Sequence, residues 1–347
     1  MTEQQAINLF NHLLNRAEEK MIPLWTHLDL TYRCNLSCIH CYCQGISGQL
    51  WENRGELSFQ EIKQLLDDLA GSGALYLTLS GGEVFLRRDF FEIAFYAKKK
   101  NFCLSVFTNG TLIDENKARR LADLSPLAVE MSIYGVTPEV HDSITNLVGS
   151  FEKLLKAVGI FKKYGLRVVL KTVFMKPNFH QVHQIERFAY DIGTDDFRSN
   201  IEISPKNDGS KLPLEYQLDT EEMASILSKT DESEVEYQDN PLRKPLCATG
   251  SLGCYISPYG DVYPCIQLLI PMGNIREKSF QEIWHAPSEL RSQLSLLKTY
   301  ADLLSCKSCQ YVRYCKKCLG LSYLETKDMR ACYPALRDIS RITSGEY

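Results

Sequence analysis

The chain has 347 residues, of which 44% are hydrophobic and 24% are charged, and its formal net charge at pH 7 is −4. These values are typical of a globular protein with a sizeable core, organised as two domains or as one large barrel with an extension. The charge does not indicate nucleic-acid binding and no segment is apolar for long enough to span a bilayer, so we expect neither a nucleic-acid nor a membrane partner.

Residues 1–23 are predicted to form an N-terminal helix. Ile7, Phe10, Leu13, Leu14 and Ala17 recur at helical spacing, with charged residues between them, and this pattern differs from the apolar block of a signal peptide. We therefore expect a cytoplasmic protein. In that reducing compartment the thirteen cysteines do not indicate a disulfide framework, and their clustering favours metal or cluster ligation.

Residues 24–204 alternate between short apolar strands and amphipathic helices. The predicted strands span residues 25–30, 75–79, 103–108, 127–133, 167–174 and 200–203, and the predicted helices span residues 58–70, 89–100, 114–124, 150–164 and 179–191. Six strand–helix units with near-continuous apolar strands predict an α/β fold, a partial (β/α)6 TIM-like barrel whose parallel sheet is buried on both faces. In such a sheet, functional residues gather at the carboxyl ends of the strands.

The rest of the chain has a different character. Residues 205–246 are polar and acidic, with the run Asp231-Glu232-Ser233-Glu234 and one predicted helix near residues 219–228, and we interpret them as a bridge. Residues 247–347 are rich in Cys, Gly and Tyr, which is typical of a small domain held together by metal ligands.

A cysteine loop follows the first predicted strand directly, with Cys34, Cys38 and Cys41 at CxxxCxxC spacing. Thiolates are soft ligands that suit iron–sulfur clusters or zinc. Three ligands are one short of a closed tetrahedral site, so the loop could hold a cluster with one open iron, or zinc with Cys43 as the fourth ligand. The spacing alone leaves both possibilities open.

Further polar motifs lie where other predicted strands end. Ser80-Gly81-Gly82-Glu83 follows the second strand and Thr108-Asn109-Gly110 the third, while Ser132 lies near the end of the fourth strand and Lys171 within the fifth. A pair of glycines lets the backbone approach a ligand closely, and the Glu83 carboxylate could bind a cationic amine. A tight turn without ligand binding explains Gly81-Gly82-Glu83 equally well.

With these motifs the chain resembles the radical S-adenosylmethionine (SAM) enzymes that carry a C-terminal SPASM extension, over roughly residues 23–338. The resemblance implies that the loop of Cys34, Cys38 and Cys41 holds a 4Fe-4S cluster whose open iron is chelated by the amino and carboxylate groups of SAM. It further implies SAM contacts, namely Tyr42 at the adenine, Gly81, Gly82 and Glu83 at the amino group, and Asn109, Ser132 and Lys171 at the ribose and carboxylate. For the last three residues, core or turn roles remain open.

The C-terminal cysteines match the SPASM pattern except that two residues, rather than three, separate Cys315 from Cys318. By resemblance, a first auxiliary cluster would be held by Cys247, Cys254, Cys265 and Cys318, and a second by Cys306, Cys309, Cys315 and Cys332. The chain would then hold three 4Fe-4S clusters, with a pair of structural zinc sites as the alternative. Cys43 is left unassigned. Cys103 is predicted to pack in the barrel as a small hydrophobe, with hydrogen-atom donation as the other option.

The implied activity is reductive cleavage of SAM to methionine and a 5′-deoxyadenosyl radical, which abstracts hydrogen from a substrate C–H bond. The leading hypothesis is a maturase that crosslinks or epimerises a ribosomally synthesised peptide. The alternatives are an enzyme acting on tetrapyrrole or haem side chains or another small molecule, a sulfatase-type maturase, and a non-enzymatic zinc-binding scaffold. The sulfatase alternative is weakened because Ile266, rather than an aspartate, follows Cys265.

Two kinds of partner are expected. About two dozen residues precede the first strand, too few for a fused peptide-recognition domain, so we expect a separate protein to deliver a peptide substrate. An electron donor such as flavodoxin or ferredoxin would reduce the cluster.

Overall fold

The computed structural model describes residues 2–43, 55–227 and 239–347. Within these ranges the chain forms one nine-stranded sheet in the order β6-β5-β4-β3-β2-β1-β7-β8-β9. The strands are β1 (Trp25–Thr31), β2 (Tyr76–Gly81), β3 (Cys103–Thr108), β4 (Ala128–Ser132), β5 (Val168–Val173), β6 (Asp196–Asn200), β7 (Gly253–Ile256), β8 (Asp261–Tyr263) and β9 (Gly273–Asn274). Strands β1 to β6 are parallel to their neighbours, and the predicted α/β, partial-barrel fold class is confirmed.

Helices connect the strands and cover one face of the sheet. Those of the first part are α1 (Glu3–Glu19), α2 (Phe59–Gly71), α3 (Phe90–Lys99), α4 (Glu115–Leu124), α5 (Pro138–Thr145), α6 (Ser150–Lys163), α7 (Val182–Asp191) and α8 (Thr220–Ile226). Those of the C-terminal part are α9 (Phe280–His285), α10 (Glu289–Ser295), α11 (Leu304–Lys307), α12 (Leu319–Thr326) and α13 (Pro334–Ser344). No helix in the described ranges has the length and apolarity needed to cross a membrane.

Local sequence signals account for the positions of these helices. Helix α2 begins at a capping box, in which the Glu61 backbone N–H donates to Ser58 Oγ and the Ser58 N–H donates to the Glu61 carboxylate. Its apolar face then buries Ile62, Leu65 and Leu69 against the sheet. Helix α5, by contrast, was not predicted, because it is short and lies inside a long strand-to-helix connection.

The two faces of the parallel sheet differ in polarity, which corrects the prediction of strands that are apolar on both faces. In β1, Leu28 and Leu30 face the helices and belong to the main hydrophobic core. The alternate residues His27 and Asp29 face the other way, as the period of a strand requires. The inner face therefore supplies polar groups to a cavity, and only the outer face is a conventional core.

The sixth strand is Asp196–Asn200, so the predicted span of residues 200–203 was wrong. The strand pairs in parallel with β5 from Val169↔Asp196 to Val173↔Asn200 and lies at the edge of the sheet, where polar residues are exposed. The prediction followed the apolar residues Ile201 and Ile203, which are buried but lie just beyond the strand.

The C-terminal part continues the main sheet before it forms a core of its own. Strand β7 pairs in parallel with β1, from Trp25↔Gly253 to Leu28↔Ile256, and β8 and β9 add antiparallel strands. Beyond them, a second hydrophobic cluster is built around Tyr300, Leu303 and Tyr333. The domain boundaries at residues 23, 204 and 246 stay predictions. Helix α8 lies in the predicted bridge, whose acidic run at residues 231–234 falls outside the described ranges.

Candidate active site

A cavity of 350 Å³ lies at the carboxyl ends of β1 to β5, a volume within the range of about 300–1,000 Å³ typical of small-molecule sites. The predicted site residues that line it are Cys34, Cys38, Cys41, Tyr42, Gly81, Gly82, Asn109, Ser132 and Lys171. These residues come from five strand ends, so the parallel topology brings together motifs that are far apart in sequence. Their binding roles stay predictions.

The three thiols of the cysteine loop are half-buried and close enough to interact electrostatically. Burial raises the pKa of Cys38 to about 12, and repulsion from Cys41 and Cys34 adds to this effect. The Sγ atoms of Cys41 and Cys43 lie 3.7 Å apart. In the described ranges, no three His, Cys, Asp or Glu side chains are grouped tightly enough to share a single metal ion.

The environment of the loop fits an iron–sulfur cluster together with a small ligand. Three soft sulfur donors face a cavity, and His40, between Cys38 and Cys41, also lines it. His40 Nδ1 is buried and has no hydrogen-bond partner among the described residues. An unpaired buried polar atom of this kind indicates a missing partner.

The turn after β2 holds the beginning of the cysteine loop. The Gly82 N–H donates to the Thr31 carbonyl over 2.7 Å, and the Glu83 N–H donates to the Arg33 carbonyl over 2.9 Å. A Cβ on Gly81 would overlap the Thr31 carbonyl oxygen, and one on Gly82 would overlap that of Arg33. Both glycines are therefore required by this close backbone approach, in addition to any contact with a ligand.

Among the residues predicted to bind the SAM-site cluster or SAM, only Glu83 does not line the cavity and lies behind its wall. Its carboxylate is fully buried and accepts hydrogen bonds from the N–H groups of Phe85 and Asn109 and from the Thr108 hydroxyl, over 2.7–3.1 Å. Burial raises the pKa of Glu83, its hydrogen bonds and the more distant charge of Lys117 oppose this rise, and no basic side chain of the described ranges lies within 4.0 Å of it. A buried carboxylate without a cationic partner fits an ammonium group supplied by a ligand.

Asn109 and Lys171 already have protein partners. Asn109 Nδ2 donates to Asn35 Oδ1 over 3.0 Å and lies 3.7 Å from Cys34 Sγ, so it ties the end of β3 to the cysteine loop. Lys171 Nζ lies 3.0 Å from a carboxylate oxygen of Glu130 and 3.2 Å from the centre of the Phe107 ring. Burial lowers the pKa of Lys171, and the nearby Glu130 opposes this change.

A buried polar network on the inner face of the sheet was missed by the sequence reasoning. Asp29 is fully buried, and its carboxylate lies 3.1 Å from His27 Nε2 and accepts hydrogen bonds from the hydroxyls of Tyr255, over 2.9 Å, and Tyr42, over 3.3 Å. The Tyr255 hydroxyl also lies 2.5 Å from that of Tyr32. Polar residues at every second position of an apolar strand, His27 and Asp29, were the signal that could have revealed it.

The cysteines of the second auxiliary set converge in the C-terminal part. Cys306 interacts electrostatically with Cys309 and Cys332, and Cys315 does so with Cys306 and Cys332. The pKa of the Cys315 thiol is raised to about 11, mainly by burial. Each of the four predicted ligands thus interacts with at least one other, as the ligands of one four-iron cluster would.

Three of the four cysteines of the first auxiliary set also converge. Cys265 interacts electrostatically with Cys318 and Cys247, and burial raises its pKa to about 11. Cys254 is placed elsewhere, in β7, with its Sγ 3.5 Å from Thr26 Oγ1 and within the main hydrophobic core. Burial raises the pKa of Cys254 to about 12, opposed by the Thr26 hydrogen bond, with no contribution from another thiol.

Cys103 begins β3, at the end of the strand away from the cavity. This position offers no support for a role as a hydrogen-atom donor.

Comparison with known proteins assigns the two parts of the chain to families. Residues 28–189 match the model of the Radical SAM superfamily, and residues 247–319 match SPASM, an iron–sulfur cluster-binding domain. The first model covers the strand ends that form the cavity, and the second begins at Cys247.

Two curated relatives match most of the chain. The AdoMet-dependent heme synthase of Methanosarcina barkeri is 27% identical over 328 residues, which cover 86% of this chain and 92% of the relative. The antilisterial bacteriocin subtilosin biosynthesis protein AlbA of Bacillus subtilis is 27% identical over 319 residues, covering 87% of this chain and 68% of the relative. The chain is thus similar at equal identity to a heme synthase and to a bacteriocin biosynthesis protein.

Solved structures share the fold. Streptococcus suis SuiB, bound to its precursor peptide SuiA, superposes with a TM-score of 0.69 at 14% identity and covers 97% of this chain and 81% of its own. The protein anSMEcpe, with bound AdoMet and a Cp18Cys peptide, has a TM-score of 0.68 at 19% identity and covers 92% of this chain and 94% of its own. At these identities the similarity establishes the fold alone.

Proposed function

Since the chain belongs to the radical SAM superfamily and carries a C-terminal SPASM domain, we propose that it is a maturase that modifies a ribosomally synthesised peptide, by crosslinking or epimerisation. When bound, the cluster and SAM supply reductive cleavage of SAM to methionine and a 5′-deoxyadenosyl radical, which abstracts hydrogen from a C–H bond. The protein's own task is to position both partners and to keep water away from the radical.

The convergence of the cysteine loop and the Gly81-Gly82 turn on one cavity carries this proposal. Cys34, Cys38 and Cys41 would hold the cluster. The Glu83 carboxylate, buried without a cation, would compensate the charge of the SAM ammonium group from behind the Gly81-Gly82 turn.

The peptide class is supported by the relative AlbA, which takes part in the biosynthesis of a bacteriocin. The sulfatase-type reading remains weaker, because Ile266 and Gln267 line the cavity after Cys265 and neither side chain can accept a proton there as a carboxylate would. A separate recognition protein and a flavodoxin- or ferredoxin-type electron donor complete the proposed system.

A haem-type small molecule is the second candidate substrate. It is favoured by the similarity to the M. barkeri heme synthase, whose sequence identity to this chain equals that of AlbA. The two substrates differ in size and chemistry, so one experiment can separate them.

For the cofactors, we propose three 4Fe-4S clusters, with about 12 iron and 12 sulfide per chain after anaerobic reconstitution. The proposed ligands are Cys34, Cys38 and Cys41 for the SAM site, Cys306, Cys309, Cys315 and Cys332 for the second auxiliary cluster, and Cys247, Cys265 and Cys318 for the first. Cys254 is omitted from the first auxiliary set because its thiol lies in the core beside Thr26.

The test is anaerobic incubation of the reconstituted enzyme with SAM, dithionite and either candidate precursor peptides or an iron porphyrin that carries propionate groups. We expect 5′-deoxyadenosine and a peptide product whose mass is lower by two hydrogens for a crosslink. An epimerised residue is expected to take up deuterium from deuterated water. Propionate decarboxylation of the porphyrin, with every peptide unchanged, would contradict the peptide proposal, and zinc in place of iron would contradict the whole assignment.

A further inference from the structure

Lys317 lies in the sequence between proposed ligands of the two auxiliary sites, two residues after Cys315 and directly before Cys318. Its side chain is buried, with 7% of the residue exposed, whereas the neighbouring Lys316 is exposed. Lysine is almost never fully buried unless its charge is paired. The position of Lys317 therefore requires an explanation.

The ammonium group of Lys317 is held by neutral groups. Nζ donates to Ser322 Oγ over 2.9 Å and to the Ala331 carbonyl, while the Lys317 backbone N–H donates to the Tyr300 hydroxyl over 2.8 Å. No carboxylate of the described ranges lies within 4.0 Å of Nζ. These hydrogen bonds fix the position of the charge without neutralising it.

The Lys317 ammonium group lies close to the second auxiliary set, because the Ala331 carbonyl that accepts a hydrogen bond from Nζ directly precedes Cys332. Burial lowers the pKa of Lys317, and the electrostatic effects of Cys332, Cys306, Cys315 and Asp328 oppose this change. Removing an ammonium group from water is costly unless an opposite charge compensates it. A four-iron cluster with four thiolate ligands carries net negative charge, which would supply that compensation.

We propose that Lys317 is the counter-ion of the second auxiliary cluster and raises its reduction potential. A fixed positive charge stabilises the reduced cluster more than the oxidised one, because reduction adds one negative charge. The inference rests on the second auxiliary cluster of the proposed function. Lys317 acts through the cluster, so it is a tuning residue and touches no substrate.

The test compares two neutral variants, Lys317→Met and Lys317→Gln, with the matched control Lys316→Met. All are made in a Cys34→Ala, Cys38→Ala, Cys41→Ala background, so that the SAM-site cluster does not obscure the auxiliary signals. Each reconstituted protein is titrated with redox mediators and followed by electron paramagnetic resonance. Lys317→Gln keeps N–H donors for Ser322 and Ala331 and removes only the charge.

We expect both Lys317 variants to shift the reduction equilibrium of one auxiliary cluster at least tenfold towards the oxidised form, which is about 59 mV for a one-electron couple. Lys316→Met should leave both auxiliary potentials unchanged. An unchanged potential in Lys317→Gln with full iron content would overturn the proposal, and so would an equal shift in Lys316→Met.

If the neutral variants lose the cluster, a third variant, Lys317→Arg, which keeps the positive charge, decides between the explanations. If the arginine variant retains the cluster and the neutral ones lose it, the positive charge is needed for assembly, as the proposal requires. If all three lose it, the role of Lys317 is steric and the proposal fails. Absence of auxiliary clusters from the otherwise unmodified chain would instead contradict the proposed cofactors.

Discussion

Most cysteine side chains of this chain lie near other thiols, whereas Cys254 lies in the main core. Those of the loop and of the two auxiliary sets lie near other thiols, where ligation to iron can compensate the charge of their thiolates. Cys254 is a neighbour of Thr26 in the main core, on the face of β7 opposite Tyr255, and there it packs as a small hydrophobe. The position of Cys254 on the core-facing side of β7 thus separates it from the thiols that could bind iron.

This difference predicts opposite results for Cys254→Ala and Cys247→Ala. Cys254→Ala should keep about 12 iron per chain and lose about 1–2 kcal/mol of stability from the small cavity it leaves in the core. Cys247→Ala should lose about four iron with little change in the stability of the barrel. Iron analysis and urea unfolding measure both effects. A loss of four iron from a folded Cys254→Ala protein would restore Cys254 as a ligand.

Among the structural elements, the turn after β2 links the sheet to the cysteine loop. Gly81 has φ +134°, a region that side-chain-bearing residues rarely adopt, and it packs on the Thr31 carbonyl. Backbone hydrogen bonds from Gly82 and Glu83 hold the same short segment, 31–33, that leads to Cys34. The position of the first thiol thus depends on a turn some fifty residues further along the chain.

We predict that Gly81→Ala displaces the cysteine loop and removes about four iron per chain while both auxiliary clusters remain. The matched control is Gly165→Ala, which also has positive φ, +68°, but has no atom within 4 Å of an added Cβ. The control should cost about 1–2 kcal/mol and keep all of its iron, because it introduces backbone strain alone. Equal iron contents in the two variants would show that the turn does not position the loop.

In the molecule as a whole, the auxiliary sites are connected to the barrel through a continuous sheet. Strand β7 continues the sheet beside β1, and Tyr255 from β7 hydrogen-bonds to Asp29 of β1. Ile266 and Gln267, directly after Cys265, line the same cavity as the cysteine loop. This arrangement places the residues that follow Cys265 at the cavity in which the radical chemistry is proposed.

Removing a ligand of the SAM-site cluster should consequently have a different effect on activity from removing a ligand of an auxiliary cluster. Cys34→Ala, Cys38→Ala or Cys41→Ala should abolish reductive SAM cleavage, because each removes a ligand of the cluster that binds SAM. Cys309→Ala should retain some cleavage and lose the modified product, since only the second auxiliary set is damaged. Chromatography of 5′-deoxyadenosine together with mass spectrometry of the peptide measures both. Full SAM cleavage in Cys38→Ala would contradict the ligand assignment.

The sequence by itself determined the first five strands of the barrel, most of the helices that connect them and the motifs at the strand ends. All of these depend on local patterns. Residue periodicity and caps such as Ser58 specify an element within a dozen residues, and the CxxxCxxC spacing lies within a single loop. These features need no knowledge of distant contacts, and they are the features that the structure reproduces.

Only the tertiary structure decided which distant residues become neighbours. It placed Cys254 against Thr26, buried Lys317 beside the second thiol set, and joined Asp29 to Tyr255 across more than two hundred residues. It also showed that the sixth strand is Asp196–Asn200. This strand lies at a polar edge of the sheet, where runs of apolar residues do not predict strand positions. Strand pairing sets the contacts of Cys254 and Asp29, and the packing of the C-terminal part sets that of Lys317, so neither kind of contact can be inferred from the local sequence around a single residue.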